Sequence, residues 1–316
     1  MAEKSLDPGT GVKYRRKTKR IINPDGSFNV RKIVPFSYND GYTNLINMTW
    51  VKFLCFISLI VLLINVVFAS LYFLAGAETI GKTESTGWVD SFLYCLYFSF
   101  QSFTTVGYGA MHPTGHLSNV ISSVETVLGW GLFAIITGLL YGRFSRPSAR
   151  IRFSNKVMFA RDKDNNLSLQ FRIANQRKNM LVNLHAVVML KLVEHSADGF
   201  NRNYFELPLK MDSIHFFPLN WTLVHTIDGQ SPLTGLRLED LKMKDVELLV
   251  LITGFDDTFS QDVHTRYSYV HDDIVWEGSF RHPFYTDDEG DIIFPMHWLD
   301  EYETSDKEKG TTDSST

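Results

Sequence analysis

Between Phe53 and Ala77 the sequence has no Asp, Glu, Lys or Arg, and Thr126 to Gly142 is uncharged in the same way. An α-helix needs about 20 predominantly apolar residues to cross a hydrocarbon layer roughly 30 Å thick. The first stretch reaches that length unaided. The second reaches it by beginning near His116 and tolerating Glu125. Inside a bilayer no water satisfies backbone N–H and C=O groups, so each stretch must close its own hydrogen bonds as a helix. Two spans are therefore predicted, roughly Trp50 to Leu74 and Gly115 to Phe144, the second ended by Arg146-Pro147. The first span begins too far into the chain for a secretory signal, and no small-residue cleavage site follows it.

Lys and Arg set the orientation. Lys13, Arg15, Arg16, Lys17, Lys19, Arg20, Arg31, Lys32 and Lys52 precede the first span, and Arg143, Arg146, Arg150 and Arg152 follow the second. Lys82 alone lies between them. The positive-inside rule puts both termini in the cytoplasm and makes this a multi-pass protein of the cell (inner) membrane. Residues 1–38 are basic and broken by Pro8-Gly9, Pro24-Asp25-Gly26 and Pro35, which predicts an extended or disordered arm. A pore unit is expected over 39–146. It opens with Tyr42, Leu45, Ile46 and Thr49 at helical spacing, either an interfacial helix along the membrane face or the plain start of the first span.

The segment between the spans carries the chemistry. Ser91 to Thr104 is apolar and aromatic but too short to span, so it is expected to be re-entrant, packed in protein. Thr105-Val106-Gly107-Tyr108-Gly109 follows it. A dehydrated cation in a low-dielectric medium costs tens of kcal/mol or so, and protein oxygens must replace its lost water. Gly107 and Gly109 permit backbone conformations that a Cβ makes costly, so successive carbonyls can point one way. Val106 and Tyr108 brace the loop from behind, and Thr105 adds a hydroxyl oxygen. Rings of such carbonyls from four loops are how a K⁺ filter is built, with ions held at Thr105, Val106, Gly107 and Tyr108. One chain supplies one loop, so three identical partner subunits are expected, a homotetramer. The short helix also turns its partially negative C-terminal end toward the ion path.

Beyond Arg152 the pattern changes to strands. Leu167 to Ile173 alternates at a period of two, and Val182 to Val193, Tyr204 to Met211, Trp221 to His225, Val246 to Thr253 and His264 to Val270 are further β-rich runs between Gly, Pro and Asp turns. An all-β, immunoglobulin-like sandwich over 147–298 is predicted, with a disordered acidic tail over 299–316. Net charge is -4, which gives no reason to expect nucleic-acid binding. A nucleotide-binding regulatory domain in place of the sandwich would need G-x-G-x-x-G and long intervening helices, and the sequence has neither. A membrane-anchored β-sandwich that does not conduct would leave the five-residue string unexplained. With no G-x-S-x-G, P-loop or H-E-x-x-H motif, no enzyme and no organic cofactor are expected, only K⁺ ions.

From about Asp40 to Trp298 the chain resembles the inward-rectifier potassium channels of the prokaryotic branch. The resemblance rests on the filter with Met111-His112-Pro113, Glu125 and Gly129, and the linker Arg143-Phe144-Ser145-Arg146-Pro147. It extends to Ser231-Pro232-Leu233, Tyr267-Ser268-Tyr269-Val270 and Ile274-Val275-Trp276. It implies gating where the inner helices converge, with Tyr141 as the narrowing residue or else a lipid-facing aromatic. It makes Gly129 a hinge or a close-packing glycine. Glu125 becomes a cavity residue or a hydrogen-bonding one near the base of the filter. Phe133 stands where strong rectifiers hold a cavity acid, and Asn183 and Thr253 stand at cytoplasmic-pore positions that are acidic in strong eukaryotic members. Weak rectification at most is implied. Gly254 to Gln261 matches a loop that forms a second constriction, and Gln101 replaces a glutamate behind the filter. Arg143, Arg146, Arg150 and Arg152 are expected to face anionic phospholipid or phosphoinositide, or to serve only as positive-inside anchors.

Overall fold

The computed structural model describes residues 4–5, 7–16, 18–31, 33, 41–81, 87–145, 149–161, 166–177, 179–196 and 199–304. The chain divides into two compact units, Val34–Arg146 and Met1–Ile33 with Pro147–Thr316.

The first unit is helical. Helix α1 (Gly41–Asn47) is separated from α2 (Trp50–Ala75) by a break at Met48-Thr49; α3 (Trp88–Phe103) and α4 (His116–Phe144) follow. At 1.5 Å per residue, α2 and α4 are about 39 and 43 Å long, enough to cross a bilayer, whereas the 16 residues of α3 are not. Helix α3 buries Cys95, Phe98, Ser99 and Phe103, one stripe at helical spacing. Phe68, Ala69 and Tyr72 of α2 and Ile80 join it, with the Tyr72 and Phe98 rings edge to face at 4.9 Å. The segment Asp40–Trp50 thus contains a separate short helix, with Asp40 itself outside the described residues. Ile46 of α1 packs on Phe53 and Leu139.

The second unit is built from strands. In chain order they are β1 (Lys4–Ser5), β2 (Lys13–Tyr14), β3 (Ile151–Phe153), β4 (Val157–Arg161), β5 (Leu167–Asn175), β6 (Leu181–Ser196), β7 (Gly199–Glu206) and β8 (Ser213–Phe216). Then come β9 (Asn220–Thr226), β10 (Glu247–Asp256), β11 (Gln261–Val270), β12 (Ile274–Trp276), β13 (Gly278–Phe280), β14 (Tyr285–Thr286), β15 (Ile292–Ile293) and β16 (Tyr302–Thr304). Among the described residues, one sheet runs β1-β7-β6-β10-β11, with β2 on β7 and β8 on β6; the other runs β12-β4-β5-β3, with β9 on β5. One core lies between them. Leu184, Ala186, Val188 and Leu190 of β6 alternate into it beside Leu248, Val250 and Ile252 of β10, and meet Leu169, Phe171, Ile173 and Leu223 of the other sheet. Trp276 stacks on Phe159 at 4.6 Å and Tyr267 on Phe153 at 4.8 Å.

Three expectations are corrected here. The N-terminal arm is not simply extended or disordered: β1 and β2 pair with β7, and Ile21 and Ile22 are buried against Tyr204 and Leu249. The buried carboxylate of Glu247 accepts the Ile21 N–H at 2.6 Å while pairing with the buried Lys191 ammonium at 2.9 Å. Local composition hid this, because the partners are distant in the chain, Glu247 lying 226 residues from Ile21. The C-terminal boundary also moves. Leu299 is buried, Asp300 pairs with Arg152, and β16 pairs with β13; residues 305–316 lie outside the described residues. Finally, the run Tyr204–Met211 stops being strand at Glu206, with β7 starting earlier, at Gly199.

His225 gives Ser231-Pro232-Leu233 a physical role. Its Nδ1 lies 2.7 Å from the Pro208 carbonyl and its Nε2 2.8 Å from Ser231 Oγ, which also accepts the Leu233 N–H at 3.2 Å. A proton on Nδ1 serves the carbonyl, leaving Nε2 to accept from Ser231. Burial holds the His225 pKa below its ordinary value of 6.5. The neutral ring therefore contributes stability that is fully present above about pH 6.5 and lost as pH falls through the lower folded value. Thermal unfolding of the full-length protein between pH 7.5 and 5.5 should show a fall in Tm that His225→Asn flattens. Equal slopes for both proteins would contradict this.

Candidate functional site

The end of α3 hands its carbonyls to the loop that follows. The N–H groups of Thr104, Thr105 and Val106 donate to Phe100, Ser102 and Gln101 at 3.0, 3.1 and 3.0 Å. This anchors the start of the five-residue string on the helix. Thr105, Gly107 and Gly109 have φ of 61°, 52° and 84°, whereas Val106 and Tyr108 do not have positive φ. Alternating handedness turns successive peptide planes the same way: N–H groups gather on one side and carbonyls on the other. Among the described residues, no carbonyl from Thr105 to Gly109 accepts a hydrogen bond. The positive φ of the two glycines was legible in the sequence. That of Thr105 was not, since a β-branched residue is a rare occupant of this region.

In a single chain the Val106 and Tyr108 side chains are 54% and 79% exposed. Beyond the string, Thr114 N–H donates to the Thr79 carbonyl at 2.8 Å, tying the α3–α4 connection to the turn after α2.

Helix α4 places the other candidates. Phe133 and Tyr141, eight residues apart, share an exposed stripe with Thr137. Glu125 is on a different face, fully buried within its own chain: Tyr72 Oη donates to Oε2 at 2.6 Å and Ser99 Oγ donates to Oε1. Of the two roles open from sequence, these contacts are those of a hydrogen-bonding residue. A Cβ on Gly129 would collide with the Phe103 carbonyl oxygen and lie 3.1 Å from its ring, so this glycine permits close packing of α4 on the end of α3.

The arginines divide. Arg143 is engaged within its own unit: its guanidinium donates to the carbonyls of Leu45, Ile46 and Met48 at 2.6, 2.9 and 2.6 Å. It also lies over the rings of Trp50 and Phe53 at 4.6 and 4.5 Å. Three carbonyls at the end of α1 draw a cation more strongly than a headgroup at a distance. Arg152 likewise pairs with Asp300 at 2.5 Å and reaches the Met296 carbonyl. Arg150 is exposed, and Arg146 lies outside the described residues.

In the β unit, Asn183 (φ 50°) and Thr253 lie on the exposed face of the larger sheet. Thr253 stands directly opposite His185 on β6 and His264 on β11. His215 Nδ1 is 3.1 Å from the Asn183 side-chain oxygen. Gly254 sits where the β6–β10 register shifts, against Leu184. His185, His215 and His264 are far apart in the chain, and the strand register gathers them beside Asn183 and Thr253.

A re-entrant helix between two bilayer-length helices, ending on a loop of unengaged carbonyls, defines a membrane ion channel. A family model described as "Ion channel" matches residues 56–146, and one described as "Inward rectifier potassium channel C-terminal domain" matches residues 151–308. "Inward rectifier potassium channel Kirbac3.1" of Paramagnetospirillum magnetotacticum is 33% identical over 87% of this chain and 93% of its own length. "ATP-sensitive inward rectifier potassium channel 15" of Mus musculus is 28% identical, covering 86% of this chain and 78% of its own. "ATP-sensitive inward rectifier potassium channel 12" of Bos taurus is 25% identical, covering 76% and 60%. The chain belongs to the inward rectifier potassium channel family. It is a channel with transmembrane helices and a β-rich C-terminal domain, and not an enzyme.

Proposed function

We propose that four copies of this chain surround one K⁺-selective pore, in which the carbonyls of Thr105, Val106, Gly107 and Tyr108, with the Thr105 hydroxyl, replace the ion's hydration shell. One observation carries this reading: handedness alternates over Thr105–Gly109, and the carbonyls of that segment are not engaged by the chain's own donors among the described residues. Gly109 closes the alternation at the outer end. The exposed Val106 and Tyr108 side chains support the assembly, because neighbouring subunits would cover them. K⁺ is the only ion the site needs.

The same stripe of α4 supplies the inner pore. Phe133 faces the cavity, where an aromatic ring attracts cations only weakly. Tyr141 forms the gate: four such rings meeting at the cytoplasmic ends of the inner helices would dewet and block the pore. Below the membrane, Asn183, Thr253 and Gly254 line an uncharged continuation. The absence of acids at Phe133, Asn183 and Thr253 gives weak rectification. Both termini and the β unit are cytoplasmic, by the Lys/Arg bias. Exposed Arg150, with Arg146, remains the candidate contact for anionic phospholipid or phosphoinositide. Movement of the β unit reaches Tyr141 through the covalent linker that follows α4.

Purified protein in liposomes should take up K⁺ down its gradient, exclude Na⁺ and be blocked by barium. Equal passage of Na⁺ would refute the filter assignment. Tyr141→Ala should raise steady-state K⁺ flux several-fold without changing the K⁺/Na⁺ ratio. Unchanged flux would remove Tyr141 from the gate.

A further inference from the structure

The inner helix grips the end of the pore helix at three points. Ser99 of α3 donates to Glu125 of α4, Thr126 Oγ1 of α4 is 3.4 Å from the Ser102 carbonyl, and Gly129 presses on the Phe103 carbonyl. Phe103 is the last residue of α3, two positions before Thr105. The grip therefore acts on the turns from which the filter hangs.

Glu125 is the polar centre of this contact. Its two oxygens take one hydroxyl from the pore helix, Ser99, and one from the outer helix, Tyr72. Ser99 Oγ also lies 3.1 Å from both Asn65 O and Asn65 Oδ1, and Asn65 Nδ2 donates to Val61 at 2.8 Å. Glu125, Ser99, Asn65 and Tyr72 are all fully buried in one chain, before any neighbour is added. An ionisable group within a membrane-spanning helix is costly, so its presence there points to a role. Simple packing would be served better by apolar side chains. A second observation sharpens the point. Gln101, behind the filter, has its Oε1 buried without a hydrogen-bond partner among the described residues, so this amide oxygen does not brace the loop.

We propose that Glu125 is a positioning residue for ion selection: through Ser99 and Tyr72 it fixes the pore helix between the inner and outer helices, and so sets the spacing of the filter oxygens. The proposal rests on the assignment of Thr105–Gly109 as the filter. Glu125 touches no ion. It acts through the helix that presents the carbonyls, and because it shares α4 with Tyr141, displacement of the inner helix reaches the filter through the same bonds.

The test uses the full-length tetramer in liposomes, reading the K⁺/Na⁺ permeability ratio and barium block, with tetramer retention on a denaturing gel as the structural control. Glu125→Ala should lower the ratio at least ten-fold in assembled tetramers. Ser99→Ala and Tyr72→Phe, each deleting one bond, should lower it about three-fold. Glu125→Gln should restore it to within two-fold of the parent, because the amide oxygen still accepts from Ser99 and its NH₂ can donate to the Tyr72 oxygen. An unchanged ratio in Glu125→Ala overturns the proposal. Should that variant not assemble, unchanged ratios in both Ser99→Ala and Tyr72→Phe overturn it. Failure of the parent protein to discriminate K⁺ from Na⁺ would instead sink the filter assignment, so the two outcomes are distinguishable.

Discussion

Gly107→Ala should abolish K⁺-selective flux, by at least a hundred-fold, while leaving the β unit folded. At φ 52°, Gly107 holds a conformation that only glycine visits freely. A Cβ there would meet nothing within 4 Å in its own chain, so the cost is conformational and not a clash. A left-handed conformation costs an L-residue about 1–2 kcal/mol. The pore carries four copies, so the penalty on the aligned-carbonyl state is about 4–8 kcal/mol. That corresponds to roughly three to six powers of ten in its population at 1.36 kcal/mol per decade. Thr105 already bears a comparable strain at φ 61°, which leaves little reserve for a second residue. Rubidium uptake and sodium exclusion in liposomes check the result. Undiminished selective uptake would mean that the handedness of this residue is irrelevant to conduction.

The spans and the re-entrant helix were legible because their signal is local. Uncharged runs of sufficient length admit one solution in a bilayer, and α2 and α4 begin and end within a residue or so of the expected positions. The strands were legible for a similar reason, since period-two alternation survives in Leu167–Ile173 and in the Leu184–Leu190 face of β6. What sequence could not reveal depended on distant partners. The basic arm reads as disordered until Glu247 and Lys191 are brought beneath Ile21 and Ile22. Composition could not separate Glu125 facing a cavity from Glu125 bonding between helices, because its partners Tyr72 and Ser99 lie on other helices. Gly129 posed the same ambiguity, and the Phe103 carbonyl that lies against it belongs to another helix. The partners of Arg143 were not legible, because a cation beside a membrane has two attractive destinations, lipid phosphate and helix-end carbonyls. The nearer one, three carbonyls of its own unit, prevails.

Arg143→Ala should release α1 from the inner helix and disconnect it from the gate. The guanidinium serves three carbonyls at the end of α1 and lies over Trp50 and Phe53, so one side chain ties α1, the start of α2 and the end of α4. The neighbouring Gly142 tightens the joint: a Cβ there would lie 3.1 Å from Tyr42 Oη and 3.4 Å from Ile46 Cδ1 of α1. Tyr141 is the residue before it, so α1 is clamped beside the proposed gate. A hydrogen bond to a charged group contributes about 1.5–3 kcal/mol, and water recovers part of this for carbonyls near the interface. A loss of about 2–4 kcal/mol per subunit is expected, which is roughly 30- to 1,000-fold in the docking equilibrium. Hydrogen–deuterium exchange at residues 41–48 should accelerate by that factor, with exchange in the β unit unchanged. Arg143→Lys should retain part of the protection, because an ammonium cannot span three carbonyls in the fixed fork of a guanidinium. If α1 transmits to the gate, Arg143→Ala channels should also lose their flux response to anionic lipid while Tyr141→Ala channels remain leaky. Unaltered exchange over α1 would show that the carbonyl contacts do not hold the helix. Accelerated exchange with an intact lipid response would confine Arg143 to architecture and leave the linker after α4 as the route to Tyr141.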